Sequence, residues 1–219
     1  LEFSIEQHQV LKDYCEKLKL TYSTSVWDVT SLRETIGLAP EYIKVPSAIN
    51  SNLELLEVAG EEYGGQIHIS LGMTTRVEEE KIIEVFSKKD RLKDLVIYAC
   101  TSGYLIQPAE ACLYEVSRLV EEYGDELHGV GYSGHHNGIA LAIAAFTLGA
   151  SFIERHFTLD RTWKGTDHAA SLEPDGLRRL SRNLDQVTEA LTYKDEEILL
   201  IEKPQRAKLK WKNKSAEIS

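Results

Sequence analysis

The residues best suited to chemistry stand in two short segments, Ser133-Gly134-His135-His136 and Glu154-Arg155-His156, each closing an apolar, strand-like run. Residues two apart in a strand point the same way, so Ser133 shares a face with His135, and Glu154 shares one with His156. If both faces line one site, two imidazoles converge with a carboxylate and a hydroxyl beside them. Two neutral imidazoles, with the other positions left to water and substrate, suit a divalent transition metal such as Mn, Fe, Co or Zn. Either histidine alone would serve as well as a hydrogen-bonded barrel residue; it is the pair on neighbouring strands that favours the metal. His136, one residue on, is expected to face away and to start the following helix.

Other strand ends are polar too: Ser23-Thr24-Ser25, Lys44 with Ser47, Ser70 before Gly72, and Thr101-Ser102-Gly103-Tyr104. Hydroxyls gathered around one lysine make a cradle for a small phosphorylated acid, whereas each hydroxyl taken singly reads equally as a strand-end cap. The loop Trp163-Lys164-Gly165-Thr166-Asp167-His168 joins an aromatic, charges and a glycine. It is read as a substrate-contacting loop, with a plain surface turn as the alternative.

These residues need elements to hold them. Strands are expected at 20–26, 42–48, 66–73, 95–101, 129–135 and 151–158, and most are apolar nearly throughout, as parallel strands covered on both faces are. Helices are expected at 5–19, 29–36, 52–62, 76–88, 109–123, 137–148 and 174–191, the last capped by Ser171 with Pro174 in its first turn. Six βα units in series fit a doubly wound sheet or part of a (β/α)8 TIM-type barrel. No Gly-x-Gly-x-x-Gly follows any strand, which weakens the doubly wound dinucleotide-binding alternative. The barrel part is expected over 1–195, with a polar, basic tail over 196–219.

The chain of 219 residues is 42% hydrophobic and 27% charged, with a formal charge of −10. That acidity excludes a nucleic-acid or anionic-membrane partner, and no apolar run is long enough to span a bilayer. Cys15, Cys100 and Cys112 fit no metal-ligand spacing and are expected as reduced, mostly buried thiols of a cytoplasmic protein.

The stretches Gly131-Tyr132-Ser133-Gly134-His135, Glu154-Arg155-His156-Phe157-Thr158 and Lys164-Gly165-Thr166-Asp167-His168-Ala169-Ala170-Ser171-Leu172-Glu173-Pro174 resemble the sialic acid synthase family, over about 22–191. The resemblance implies a TIM barrel, often a homodimer, that joins phosphoenolpyruvate to N-acetylmannosamine or a related N-acetylated amino sugar. It makes His135 and His156 the ligands of a divalent metal, usually manganese, with magnesium or cobalt as alternatives. Thr24, Lys44, Ser47, Ser70 and Ser133 fall where the family holds phosphoenolpyruvate, and Ser102 stands where many members have Asn. Tyr104 and Asp167 match positions that contact the sugar, and Lys44 and Asp167 join the histidines as catalytic candidates.

Ile49 stands where well-known members carry an acidic residue, which points to an altered sugar contact. The resemblance also leads us to expect a barrel lacking its first two strands and its antifreeze-like domain, with exposed sheet edges. Synthases of legionaminic or pseudaminic acid, and a non-catalytic phosphosugar-binding barrel, are the alternatives.

Overall fold

Five of the apolar runs pair into one parallel sheet: β1 (Tyr42–Val45), β2 (Gln66–Ser70), β3 (Leu95–Cys100), β4 (Gly129–Gly134) and β5 (Phe152–Arg155). The computed structural model describes residues 3–211. The strands lie side by side in chain order, every pair parallel. Helices α3 (Leu53–Glu62), α4 (Arg76–Ser87), α5 (Tyr114–Tyr123) and α6 (Ala140–Thr147) form the crossovers, α1 (Ile5–Lys17) and α2 (Val29–Gly37) precede them, and α7 (Pro174–Ala190) and α8 (Glu202–Leu209) follow. A doubly wound sheet reverses its strand order at a switch point. This sheet never does, so the chain is an α/β protein built on a parallel half-barrel.

The register separates two faces. Ile43, Ile67 and Leu95 form one cross-strand row, and Ile69, Ile97 and Val130 another. Both rows are buried in the core, with Leu55 and Leu56 of α3, Ile82 and Phe86 of α4, and Val116 and Leu119 of α5. On the opposite face Ser70, Tyr98, Gly131 and Phe152 line up, and above them Cys100, Ser133 and Glu154. That alternation puts the polar strand ends on the concave side and leaves the aliphatic residues to the helices.

The sixth expected strand, 20–26, does not form. It makes a single parallel bridge, Ser25 to Lys44, with the Lys44 N–H donating to Thr24 O at 3.1 Å and the Val26 N–H to Lys44 O at 2.9 Å. The Ser23 hydroxyl donates to Tyr42 O at 2.8 Å, an example of short polar side chains competing for backbone groups. The helix expected at 109–123 is broken at Cys112, which takes the left-handed conformation at φ 44. α6 starts at Ala140, not at His136 or Asn137, because the Arg155 guanidinium holds the carbonyls of His136 and Gly138, each at 2.6 Å. Ser171 does not cap α7; its hydroxyl donates to Asp167 O at 2.8 Å.

The chain divides into two units, Leu1–Leu184 and Asp185–Ser219. The second contains α8, tied to the segment before it by Lys194–Glu202 and Lys203–Glu196 ion pairs. Lys212 and Lys214 of the expected basic tail lie outside the described residues. All three cysteines are free, but Cys112 is exposed and the other two are only half-buried, so the expectation of mostly buried thiols fails. Among the described residues no helix is long and apolar enough to cross a membrane.

His68 makes the inner face pH-sensitive. Burial pushes its imidazole from 6.5 down to about 4, with the Lys44 ammonium and His128 adding to the effect. The unfolded chain therefore takes up this proton first, and stability is lost as pH falls from about 6.5 to about 4. The shift corresponds to about 3 kcal/mol. Denaturant titrations at pH 7 and pH 4.5 should show the loss, and His68→Gln should remove that part of it. The same pH slope in both proteins would clear His68 as its cause.

Candidate active site

A cavity of about 550 Å³ opens at the carboxyl ends of the strands, where parallel α/β folds place their sites. At its base the Lys44 ammonium, on a 9% exposed residue, donates to Ser70 Oγ at 2.5 Å and faces Glu154 Oε2 at 3.6 Å. The Ser133 hydroxyl donates to Glu154 Oε1 at 2.7 Å. Four strands thus supply one polar cluster: Lys44 from β1, Ser70 from β2, Ser133 from β4 and Glu154 from β5. Burial pushes the Lys44 ammonium's pKa down, and the Glu154 carboxylate works against that.

Above this cluster the Gly72 N–H donates to Ser47 Oγ at 3.0 Å. A Cβ on Gly72 would stand 2.2 Å from Ser102 Oγ and 2.7 Å from Ser47 Oγ, so only glycine lets the two hydroxyls close over the backbone there. The result is a pair of hydroxyls, Ser47 and Ser102, leading down to an ammonium, which suits an anion of phosphate or carboxylate type.

The two imidazoles meet on the other wall. His135 and His156 lie 5.3 Å apart by ring centroid, and Tyr104 sits edge-on to both, at 4.7 and 5.6 Å. His135 Nδ1 lies 3.1 Å from Thr101 O. A carbonyl can only accept, so Nδ1 carries the proton and Nε2 keeps its free lone pair. Burial first, then the neighbouring His156, pushes the His135 pKa down and keeps the ring neutral. Among the described residues no third histidine, cysteine or carboxylate completes a metal cluster. Two imidazoles beside an open cavity nevertheless fit a divalent metal whose remaining ligands are water or substrate oxygens.

Of the residues singled out from sequence, Lys44, Ser47, Ser70, Ser102, Tyr104, Ser133, His135, His156 and Asp167 all line this one cavity. Thr24 does not. Its neighbour Ser25 lines the wall instead, because the bridge to Lys44 turns Ser25 to the concave side and Thr24 to the other. Ile49 packs against the apolar core and is not among the lining residues. His136 faces away as expected, buried and bonded to Arg155 at 3.1 Å. In the loop, Asp167 reaches the cavity, while His168 bonds Thr158 Oγ1 at 2.8 Å and meets Trp163 edge-on.

Sequence reasoning misses Trp27, Met73 and Cys100, which also line the cavity, and it gives Glu154 only as a nearby carboxylate and Arg155 only as a member of the same strand-end segment. Counting back by twos from Ser102 reaches Cys100 and Tyr98, a signal that the more conspicuous hydroxyls obscure.

The sequence profile of the NeuB family matches residues 1–196. The chain belongs to the NeuB family. It is 35% identical over 199 residues to N-acetylneuraminate-9-phosphate synthase of Mus musculus, covering 91% of this chain and 54% of that one. With N,N'-diacetyllegionaminic acid synthase of Campylobacter jejuni it shares 31% over 192 residues, 87% of this chain and 56% of that one. This NeuB-family chain therefore spans about half the length of these relatives. Among solved structures, N-acetylneuraminic acid synthetase from Leptospira borgpetersenii serovar Hardjo-bovis in complex with citrate superposes with a TM-score of 0.84 at 28% identity. That match covers 96% of this chain and 73% of the other.

Proposed function

We propose that the protein is a cytoplasmic synthase that condenses phosphoenolpyruvate with N-acetylmannosamine, giving N-acetylneuraminate and phosphate. The observation that carries this reading is the convergence, in one cavity, of the Lys44–Ser70–Ser133–Glu154 cluster and the His135–His156 pair. Lys44 and the hydroxyls of Ser47, Ser70 and Ser102 hold the phosphoenolpyruvate anion and aim its methylene carbon. Tyr104 and Asp167 hold the sugar in its open-chain form. His135 and His156 would hold a divalent cation, manganese first and magnesium or cobalt next, which would supply Lewis-acid polarisation of the aldehyde oxygen.

The C=C electron pair of phosphoenolpyruvate forms the bond from its methylene carbon to the aldehyde carbon, whose oxygen takes up a proton. Water adds at the carbon bearing phosphate and gives up its protons, and phosphate leaves by C–O cleavage. Holding the reactants in contact contributes about 7–11 kcal/mol towards the barrier. A homodimer belongs to the same reading. The similarity to the Campylobacter enzyme supports a second reading, in which the sugar is the precursor of legionaminic acid.

The test is a mass-spectrometric product assay with Mn²⁺, phosphoenolpyruvate and either N-acetylmannosamine or its 6-phosphate, the second because a 9-phosphate product requires a phosphorylated six-carbon sugar. A nine-carbon acid formed only with metal is expected. No product from either sugar, with phosphoenolpyruvate bound, would move the reading to another sugar.

A further inference from the structure

Beneath the polar cluster the concave face is aromatic. Tyr42 stacks on His68 at 4.3 Å, His68 meets Phe152 edge-on at 5.2 Å, and Tyr98 lies 6.5 Å from Phe152 by ring centroid. Tyr98 is buried, and its hydroxyl shares a 2.8 Å hydrogen bond with His68 Nδ1. The next strand makes way for that ring. Tyr98 pairs with Gly131, and a Cβ at Gly131 would stand 2.4 Å from Tyr98 Cδ1 and 2.5 Å from Cε1. A ring locked by a hydrogen bond and boxed by a sheet cannot step aside for a methyl group without disturbing its neighbours. Over the ring, 4.9 Å from its centroid, stands the Lys44 ammonium.

We propose that Tyr98 is a positioning residue: its ring face holds the Lys44 ammonium at the base of the cavity, and Gly131 is the space that ring requires. The inference rests on the reading of Lys44 as the cation for the substrate anion. A lysine stem is flexible and its head is a point charge, so its place must be fixed by what surrounds the head. Ser70 and Glu154 fix it from two sides. A second carboxylate below would cancel the charge that an incoming anion needs. An aromatic face attracts the ammonium, most strongly where water is excluded, and leaves that charge available. The floor thereby does for Lys44 what the Thr101 carbonyl does for His135: it sets the geometry of a group without touching substrate.

Three variants separate this role from simple packing. Tyr98→Phe keeps the ring and drops the hydroxyl; Tyr98→Leu removes the ring; Gly131→Ala displaces it from the neighbouring strand. Two readouts apply to each: the rate at which an amine-selective reagent labels Lys44, followed by peptide mass spectrometry, and the calorimetric Kd for phosphoenolpyruvate. Tyr98→Leu and Gly131→Ala are expected to speed Lys44 labelling several-fold and weaken phosphoenolpyruvate about tenfold. Tyr98→Phe should match the wild type in both, although losing the His68 bond lowers its melting temperature.

Unchanged labelling in folded Tyr98→Leu would overturn the proposal, and should that variant not fold, unchanged labelling in Gly131→Ala does the same. A Phe variant as impaired as Leu would also overturn it. If wild-type protein binds no phosphoenolpyruvate while the labelling pattern is as expected, the functional reading fails and the positioning of Lys44 by Tyr98 stands.

Discussion

His135→Ala and His156→Ala are each expected to abolish metal-dependent turnover. A Lewis acid at a developing oxyanion contributes several kcal/mol, and about 4 kcal/mol corresponds to a ~10³-fold loss of kcat. The same variants should lose any chelator-removable metal, measured by elemental analysis, because the proposed reading makes these two imidazoles the protein's share of the ligand set. His136→Ala is the informative control. It removes an imidazole one residue from His135, but that ring lies on the helix side, buried against Arg155 and Tyr132. Burial, with the Arg155 guanidinium adding to it, pushes its pKa down to about 4. His136→Ala should therefore lower the melting temperature and leave the metal content intact. Full turnover in both His135→Ala and His156→Ala would end the metal reading, and unchanged metal content in either would move the site elsewhere.

The contrast between these adjacent histidines shows what is legible in the sequence. Period-two alternation alone places Ser133 with His135 and Glu154 with His156, and sets His136 apart; a parallel sheet in chain order then brings the two pairs together. The same rule fails at 20–26, where alternation says nothing about whether a strand has a partner on its far side. There the Ser23 hydroxyl bonds Tyr42 O, Tyr22 Oη pairs with His8 Nδ1, and the segment bridges only at Ser25. That single bridge exchanges Thr24 for Ser25 on the cavity wall. The residue type at Ile49 points to an altered sugar contact, yet its side chain belongs to the apolar core. Glu154 becomes legible as a hub only in three dimensions, since its two partners lie on β1 and β4, 110 and 21 residues away in the chain. No spacing rule reaches across such separations.

Lys44→Met should raise the KM for phosphoenolpyruvate by about 10²-fold while changing kcat less. Truncating one member of a buried, hydrogen-bonded charge cluster costs about 2–5 kcal/mol of binding, and about 3 kcal/mol is ~10²-fold. Methionine keeps the length of the stem, so the Ser70 and Glu154 side of the cavity retains its packing. Stability should move the other way. Burial pushes the Lys44 pKa down, which means that the fold holds this ammonium at a cost only partly offset by Glu154. Replacing a buried ion by an apolar side chain of similar volume is often neutral or stabilising, and Glu154, 39% exposed at its side chain, can be solvated once its partner is gone. The expected pairing is thus a weaker grip on substrate with an unchanged or higher melting temperature. A lower melting temperature with an unchanged KM would assign Lys44 to the scaffold and remove it from the anion site.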